Sequence, residues 1–325
     1  MSSEPLVSVV VPVYNGAGFL DRTLTSARNQ THGSLDIVVV EDGSSDASPQ
    51  IIAAHADQDQ RVRVFRQPNA GVAAARNRGI REARGDLIAF LDHDDLWRSS
   101  KVGKQVARFH TSDDSTAVVY AWSCLIDREE RIISPVAEPR LEGFVLAEMC
   151  RGNFIGNGSA GMIRRRAIEE VGGFDEALSG DFSGYDDSHL YLKLAERYRF
   201  AVVPEVLVGY RLVTGSAADN YRRMIQSYRR ATAPFRARYP QHAASIDAHE
   251  KELIQWYCSR ALFRRDFGDA AAVLRELIRL DPLFAAYSAA FVIARPFLMR
   301  FRLWRSGLPS RFEALDAAEP SSPSR

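Results

Sequence analysis

The 325-residue sequence contains few cysteines, carries almost no net charge and lacks a long apolar run. Its three cysteines, Cys124, Cys150 and Cys258, are odd in number and far apart, which argues against a disulfide framework or a metal-binding spacing and fits a reducing cytoplasm. A formal net charge of +1 gives no reason to expect nucleic acid as a partner. The first apolar run is short, contains Pro12 and follows no basic leader, so we expect a strand rather than a signal peptide.

Several motifs that would assign a chemistry are also missing. The sequence contains no G-x-S-x-G hydrolase element, no G-x-x-x-x-G-K-[ST] phosphate loop and no Cys/His cluster with zinc spacing. The segment "GAGFLDRTLTSARNQ" lacks the third glycine of a dinucleotide-binding fingerprint. The candidate chemistry therefore lies in the acidic residues.

The first hundred residues alternate apolar runs with helical patterns. Strands are expected at "VSVVVPVYN", "LDIVVVE", "VRVFRQ" and "DLIAFLD", and helical segments separate them. Near-continuous apolar strands that alternate with helices indicate a mostly parallel sheet covered on both faces. We therefore predict an α/β fold.

Polar residues cluster where three of these strands end. In parallel sheets of this kind, ligands bind beyond the carboxyl ends of the strands. Three carboxylates within four residues repel each other, and a Mg²⁺ ion, which takes one or two carboxylates together with phosphates and waters, would relieve that repulsion. Each cluster could instead be a turn, although turns favour single aspartates. The clusters are Tyr14 and Asn15, Glu41 and Asp42, and Asp92 to Asp95.

An ordered set of motifs closely resembles the family 2 glycosyltransferases. The resemblance covers roughly residues 5 to 215. It implies a GT-A fold, which is a Rossmann-like sheet flanked by helices, and an inverting transfer from a nucleotide sugar. The motifs are "VSVVVPVYNGAGFL", "DIVVVEDGSSDAS", "NAGVAAARNRGI", "GDLIAFLDHDDLW", "VGGFDEAL" and "GYDDSHLYLKLA".

The resemblance also implies a role for each residue that matches a motif. Asp92 and Asp94 match the D-x-D element that binds Mg²⁺ or Mn²⁺ and the donor diphosphate; Asp94 is the better metal ligand, and Asp92 contacts ribose, metal or metal-bound water. Asp95 is equally well explained as the cap of the next turn. The residues implied to contact the nucleotide or donor are Pro12, Tyr14, Asn15, Glu41, Asp42, Asn69, Gly71, Arg76, Asp92 and Arg211.

The segment "GYDDSHLYLKLA" carries the implied general base. The resemblance assigns that role to Asp187 and a supporting role to Asp186. The apolar spacing that follows indicates a buried helix, and two acids in a first turn are also explained by the helix dipole alone. Ser188 replaces the aromatic residue of the family pattern, and His189 replaces an acid. We expect His189 at the surface.

Three further predictions concern the acceptor side and the diphosphate. Asn157, Ser159 and His189 are candidate contacts to the acceptor, although Asn157 and Ser159 are also ordinary loop formers. Arg211 or Ser216 is expected to approach the diphosphate when a loop closes. Positive charge is needed there because the leaving group is a nucleoside diphosphate.

The composition divides the chain into two parts. We predict a catalytic domain over residues 1–218, with a nucleotide-binding half at 1–115 and an acceptor half at 116–218, followed by a helical region over 219–325 that ends in a disordered tail. The segment 283–305 is apolar with spaced arginines. It is either a buried helix or a helix on an anionic membrane surface at the inner face.

These features together predict a metal-dependent inverting glycosyltransferase. The donor is expected to be a nucleotide-diphosphate sugar, UDP-linked, and the acceptor a saccharide or lipid-linked hydroxyl in bacterial cell-surface polysaccharide or glycolipid synthesis. One alternative is a nucleotidyltransferase, but "VPVYNGAGFL" contains no Lys or Arg to hold a triphosphate. The other is an inactive sugar-nucleotide-binding module, against which the intact Asp92, Asp94 and Asp187 count.

Overall fold

The computed structural model describes residues 4–135, 138–178, 184–212, 220–263, 265–288 and 308–317. The described strands form one sheet. In chain order they are β1 (Val7–Val13), β2 (Leu35–Glu41), β3 (Val62–Arg66), β4 (Leu87–Phe90), β5 (Leu96–Trp97), β6 (Thr116–Ile126), β7 (Ile132–Pro135), β8 (Gly161–Arg164) and β9 (Arg199–Arg211).

Helices follow most of the strands and cover the sheet. They are α1 (Leu20–Arg28), α2 (Ser48–Gln58), α3 (Val72–Glu82), α4 (Lys101–His110), α5 (Leu146–Cys150), α6 (Arg165–Glu170), α7 (Asp186–Ala195), α8 (Tyr221–Arg238), α9 (Ala243–Phe263) and α10 (Phe267–Leu280). The last three lie after residue 218, in the region that was expected to be helical. A final helical turn spans Ala314–Ala317.

The strand order across the sheet is β3-β2-β1-β4-β8-β6-β9-β5, with β7 paired to β6. The pairs β3-β2, β2-β1 and β1-β4 are parallel, as the alternation of strands and helices predicts. In the other half β8 is antiparallel to both of its neighbours, while β6 and β9 are parallel. One continuous sheet therefore extends through both of the halves that were predicted within residues 1–218.

The core lies along the central strands. Every residue of β1, β2 and β4 is buried, because helices cover both faces of this part of the sheet. Gly79 lets α3 lie directly on β1, since a Cβ at that position would collide with the side chain of Val10. This close packing holds the second half of α3 against β1.

The end of the chain differs in part from the sequence-based expectation. A disordered tail was predicted over residues 314–325, but Ala314–Ala317 form a helical turn, and Leu315 is only 9% exposed and packs with Phe312 against the sheet. Apolar contact, which the polar composition of this segment conceals, orders this part of the tail; residues 318–325 lie outside the described residues.

The apolar segment 283–305 is described only as far as residue 288. Within that part Leu283 is 85% exposed and Tyr287 is 68% exposed. Residues 289–305 lie outside the described residues. Among the helices that the structure describes, none is both long and apolar enough to cross a membrane.

Candidate active site

The turns after β1 and β2 are joined by hydrogen bonds at the carboxyl edge of the sheet. Asn15 adopts a left-handed backbone (φ 50°), and its side-chain oxygen accepts a hydrogen bond from the Ser45 N–H at 2.8 Å. The Asn15 N–H in turn donates to Ser44 Oγ at 3.1 Å. Tyr14 remains 49% exposed. Of these predicted nucleotide residues, Tyr14 is the one whose ring faces solvent.

The Asp42 carboxylate organises the loop that precedes α3. It accepts hydrogen bonds from the N–H groups of Ala70 at 3.0 Å and Gly71 at 2.9 Å, and from Gln67 Nε2 at 2.7 Å. Asn69 Nδ2 donates to the Asp42 carbonyl oxygen. Three of the predicted donor-binding residues are thus joined, and Asp42 itself is only 2% exposed. Its carboxylate shapes the loop.

Arg76 joins the two acidic segments that the sequence singled out. Its guanidinium pairs with the Asp92 carboxylate at 2.5 Å and also with the Asp186 carboxylate. Burial disfavours its charge, but the neighbouring acids outweigh that cost and raise the pKa of Arg76. The predicted nucleotide contact is therefore an internal ion-pair centre.

Buried hydrogen bonds from Ser159 and Arg211 hold the loop Asp92–Asp95 after β4 in place. Asp95 is fully buried, and its carboxylate accepts hydrogen bonds from Ser159 Oγ at 2.6 Å and from the Arg211 N–H at 2.9 Å. Burial, together with Asp94 and Asp92, raises the pKa of Asp95 well above its usual range. Asp95 therefore does more than cap a turn.

The structure argues against two predicted substrate contacts. Ser159 is 0% exposed, and its hydroxyl also accepts a hydrogen bond from the Asp92 N–H at 3.0 Å, so it braces the loop. The Arg211 side chain is 1% exposed and donates to the carbonyl oxygens of Asp94 at 2.7 Å and Asp127 at 2.8 Å. Ser216 lies outside the described residues.

Asp94 and Asp92 could supply two of the ligands of a divalent metal ion. The Asp94 carboxylate is half-buried and, within the described ranges, accepts no hydrogen bond from another residue, whereas one oxygen of Asp92 pairs with Arg76. Burial raises the pKa of Asp94, as does Asp92, while His93 opposes the shift. The described residues bring no three metal-ligating side chains together. Two carboxylates suit a Mg²⁺-like ion that shares its remaining ligands with phosphates and waters.

The predicted base lies at the start of α7, as expected. Asp187 Oδ1 accepts hydrogen bonds from the Ser188 N–H at 2.6 Å and from Ser188 Oγ at 3.1 Å. Its Oδ2 accepts none from the residues that the structure describes. Burial raises the pKa of Asp187 to about 7, and Asp186 adds to this while Arg76 opposes it. A carboxylate with such a pKa can take up a proton near neutral pH.

Sequence reasoning missed residues on the acceptor side. Asn153 Nδ2 donates to Ser188 Oγ at 2.9 Å, so a two-residue relay orients the base. The loop before β8 comes close as well, because a Cβ on Gly158 would lie 3.1 Å from Arg76 Nη2 and 3.8 Å from Asp187 Cβ. The departure of Ser188 from the family pattern was the available signal.

The remaining acceptor candidates differ from each other. Asn157 is 4% exposed; its Nδ2 donates to Ser123 Oγ at 2.8 Å, and its Oδ1 is buried without a hydrogen-bond partner among the described residues. His189 is buried, with Nδ1 at 2.9 Å from the Ala231 carbonyl oxygen, so the expectation of a surface histidine was wrong. Helix α8 covers the ring, which local sequence does not reveal.

The chain is similar to known glycosyltransferases. The family model described as "Glycosyl transferase family 2" matches residues 8–172. A putative glycosyltransferase of Bacillus subtilis, EpsH, is 31% identical over 260 residues, which cover 77% of this chain and 73% of that protein. An uncharacterized glycosyltransferase of Rickettsia typhi, RT0329, is 27% identical over 228 residues, covering 69% and 70%.

Two solved structures share the fold. The mannosyltransferase PcManGT from Pyrobaculum calidifontis, solved with GDP-Man and Mn²⁺, has a TM-score of 0.58 at 20% identity, covering 94% of this chain and 84% of that one. Residues 1–349 of S. aureus TarS give a TM-score of 0.60 at 16% identity, covering 94% and 93%. Both are GT-A glycosyltransferases, so the predicted fold is confirmed.

Proposed function

Because this chain belongs to glycosyl transferase family 2, we propose that it transfers a sugar from a nucleotide-diphosphate donor, UDP-linked, to a hydroxyl acceptor with inversion. One observation carries the proposal. Arg76 ties Asp92, on the loop expected to hold the diphosphate, to Asp186, next to the candidate base Asp187. The Arg76 guanidinium would thus hold the proposed donor-binding loop next to the proposed general base.

Asp187 is the general base of the proposed reaction. Its Oδ2 would accept the proton of the acceptor hydroxyl while that oxygen attacks the anomeric carbon, and the nucleoside diphosphate would leave from the opposite face. The hydrogen bonds from Ser188 fix the carboxylate and favour its charged form. A pKa of about 7 gives a base that is strong enough and still largely deprotonated slightly above neutral pH.

Asp94 and Asp92 would hold a divalent cation, Mg²⁺ or Mn²⁺, that supplies counter-charge to the leaving diphosphate. Their two carboxylates leave most coordination positions to the donor and to water, so the ion is expected to bind far better with the nucleotide than alone. Manganese in the PcManGT structure supports this assignment. Arg211, buried beneath the loop, would act by holding the Asp94 backbone.

The nucleotide would lie over the turns after β1 and β2. The exposed ring of Tyr14 is suited to stack on a base, while Asn15, Asp42 and Gly71 shape the surface beneath it. Pro12, Glu41 and Asn69 belong to the same edge. The complexes of S. aureus TarS with UDP and with UDP-GlcNAc support a uridine nucleotide.

The acceptor would enter beside Asp187, over Asn157, whose Oδ1 lacks a hydrogen-bond partner among the described residues. We place the reaction in synthesis of a bacterial cell-surface polysaccharide or glycolipid, at the cytoplasmic side of the membrane. The exposed side chains of Leu283 and Tyr287 support a peripheral membrane contact through 283–305. A nucleotidyltransferase or an inactive module would make no use of a base placed as Asp187 is.

A donor screen tests the proposal. The protein is incubated with UDP- and GDP-linked sugars, with Mn²⁺ or Mg²⁺ and with sugar or lipid-linked acceptors, and the products are analysed by mass spectrometry and NMR. We expect metal-dependent transfer with an inverted anomeric centre. Retention of configuration would contradict the single displacement, and binding without hydrolysis or transfer would favour the inactive module.

A further inference from the structure

The chain returns to the catalytic sheet at its end. Residues 308–317, which we call the returning tail, run beside the turn 127–132 that joins β6 to β7. The Ile132 N–H donates to the Ser310 carbonyl oxygen at 3.0 Å, and the Phe312 N–H donates to the Glu130 carbonyl oxygen at 3.1 Å. These two backbone bonds fix the tail against that turn.

An apolar anchor holds the returning tail to the sheet. Phe312 lies in a cluster with Leu96 of β5 and with Ile126 and Ile132 beside the turn. It also packs on Gly209 of β9, where a Cβ would be 3.2 Å from its ring. Because Gly209 pairs with Leu96, the Phe312 ring sits directly against the strand that follows the Asp92–Asp95 loop.

A polar anchor holds the tail just after that strand. Arg98, 6% exposed, donates from Nη2 to the Leu315 carbonyl oxygen at 2.7 Å and from Nε to the Asp316 carboxylate at 3.0 Å. The same carboxylate accepts a hydrogen bond from the Ser99 N–H at 3.2 Å. The returning tail is therefore hydrogen-bonded to Arg98 and Ser99, which follow the Asp92–Asp95 loop and β5.

Arg211 links the turn 127–132 to the Asp92–Asp95 loop. The Arg211 side chain donates to the carbonyl oxygens of Asp127 at 2.8 Å and Arg128 at 3.2 Å, and lies 3.6 Å from the Glu130 carboxylate. From this fixed position it holds the Asp94 carbonyl oxygen at 2.7 Å. The turn that the tail clamps is thus the support on which the Asp94 backbone rests.

We propose that the returning tail is a positioning element of the donor site: it clamps the turn 127–132 and β5 so that Arg211 can place Asp94 and Asp95. It touches no reacting atom. The identity of the ligand at Asp94 rests on the proposed function, but the mechanical link does not. A displacement of about 1 Å, caused by a change far from the chemistry, can cost on the order of 10²-fold in rate.

Hydrogen–deuterium exchange on the full-length protein tests the link without any ligand. Phe312→Ala removes the apolar anchor and Asp316→Asn weakens the polar one. Arg311→Ala is the matched control in the same tail, because the Arg311 side chain is exposed and makes no hydrogen bond or ion pair with the residues that the structure describes. We expect faster exchange over 92–97 and 207–212 in the two anchor variants, with 186–195 unchanged and the control like the wild type.

Two results of that experiment would overturn the link. Exchange over 92–97 that stays at the wild-type rate in both anchor variants would show that the tail does not hold the loop. Equal acceleration over 186–195 would show general loosening of the fold. If Phe312→Ala does not fold, Asp316→Asn decides between these outcomes.

Calorimetry with UDP and Mn²⁺ as the probe tests the functional consequence. We expect Phe312→Ala to bind this pair at least about tenfold more weakly, while KM for the acceptor stays within about twofold, because a misplaced group lowers only the steps that use it. Unchanged affinity would confine the tail to a structural role. If the wild type binds neither UDP nor GDP with Mn²⁺, the proposed donor is wrong, and the exchange experiment still decides the link.

Discussion

The loop after β4 and the first turn of α7 both contain adjacent aspartates, and the structure treats the two members of each pair differently. In the loop, Asp95 is buried under Ser159 and the Arg211 backbone, while the Asp94 carboxylate accepts no hydrogen bond from another residue in the described ranges. In α7, Asp186 is buried against Arg76, while one oxygen of Asp187 stays open. Each pair combines a fixed acid with an available one.

The hydrogen-bond partners of an aspartate distinguish acids that stabilise the fold from acids that can react with substrate or metal. Motif position distinguishes them less well. Asp95 and Asp186 are buried against protein donors, at 0% and 4% exposure, so a substrate cannot reach their carboxylates. Burial raises the pKa of the fixed Asp95 as well as those of Asp94 and Asp187, so the hydrogen-bond partners, and not the pKa, distinguish the two kinds of acid. Arg76 connects the loop after β4 to the start of α7, because it pairs with both Asp92 and Asp186.

The comparison within α7 predicts the largest effect. Asp187→Asn should lower transfer by about 10²–10⁴-fold, the loss expected for removal of a general base, with nucleotide binding intact. Asp186→Asn removes one partner of a buried ion pair and should destabilise the fold by about 3–5 kcal/mol while active protein keeps the base. Steady-state kinetics and thermal unfolding measure both. An inactive but fully stable Asp186→Asn variant would reverse the assignment.

The comparison within the β4 loop predicts the next largest effect. Asp94→Asn should abolish the dependence of nucleotide affinity on Mn²⁺, because the ion loses its better ligand, and should leave the fold intact. Asp95→Asn can still accept the hydrogen bond from the Arg211 N–H and should keep the metal response. Calorimetry with and without Mn²⁺ distinguishes them. Equal loss in both variants would show that the loop acts only as a unit.

The raised pKa of Asp187 also predicts an effect on stability, and the size of this effect depends on pH. The folded pKa of about 7 exceeds the unfolded value of about 3.9, so the folded state disfavours the charge, and this cost grows as pH rises from 4 to 7. Asp187→Asn should therefore melt above the wild type at pH 8, and the difference should vanish near pH 4. Thermal scans without metal or nucleotide measure it; an equal difference at every pH would contradict the shifted pKa.

Ser188→Ala should give the smallest effect. The Ser188 hydroxyl donates to the charged Asp187 carboxylate, so its loss should raise the pKa of the base. One hydrogen bond contributes about 0.5–1.5 kcal/mol, which corresponds to a shift of about 0.4–1.1 units in the midpoint of the pH–rate profile. Ser188→Thr keeps the hydroxyl and is the control. A midpoint that moves equally in both variants would indicate a packing effect.

The sequence was sufficient for the local features of the fold and the site. Apolar runs and turn residues predicted β1 to β4, and the acids after β2 and β4 were expected where the strands end. The start of α7 at Asp186 followed from helical spacing and acids in its first turn. All of these depend on neighbours within a few residues, which a single sequence displays.

What the sequence could not show depends on distant partners. Arg76 and Asp186 are 110 positions apart, and Arg211 reaches Asp94 from 117 positions away. The roles of Arg76 and Arg211 were therefore inferred from motif position, and both side chains were assigned to the donor substrate. The burial of His189 follows from α8, and the order of the tail follows from the pocket around Phe312; neither partner adjoins its residue in sequence.

The pH dependence of a single turnover with donor and Mn²⁺ already bound tests the division between fixed and available acids most directly. Acceptor is added to wild type, Asp186→Asn and Asp187→Asn, and transfer is timed between pH 5.5 and 8.5. We expect the rate in the wild type and in Asp186→Asn to rise with pH, with a wild-type midpoint near 7, and the rate in Asp187→Asn to be low and flat. A rise that survives in Asp187→Asn, or disappears in Asp186→Asn, would contradict the account.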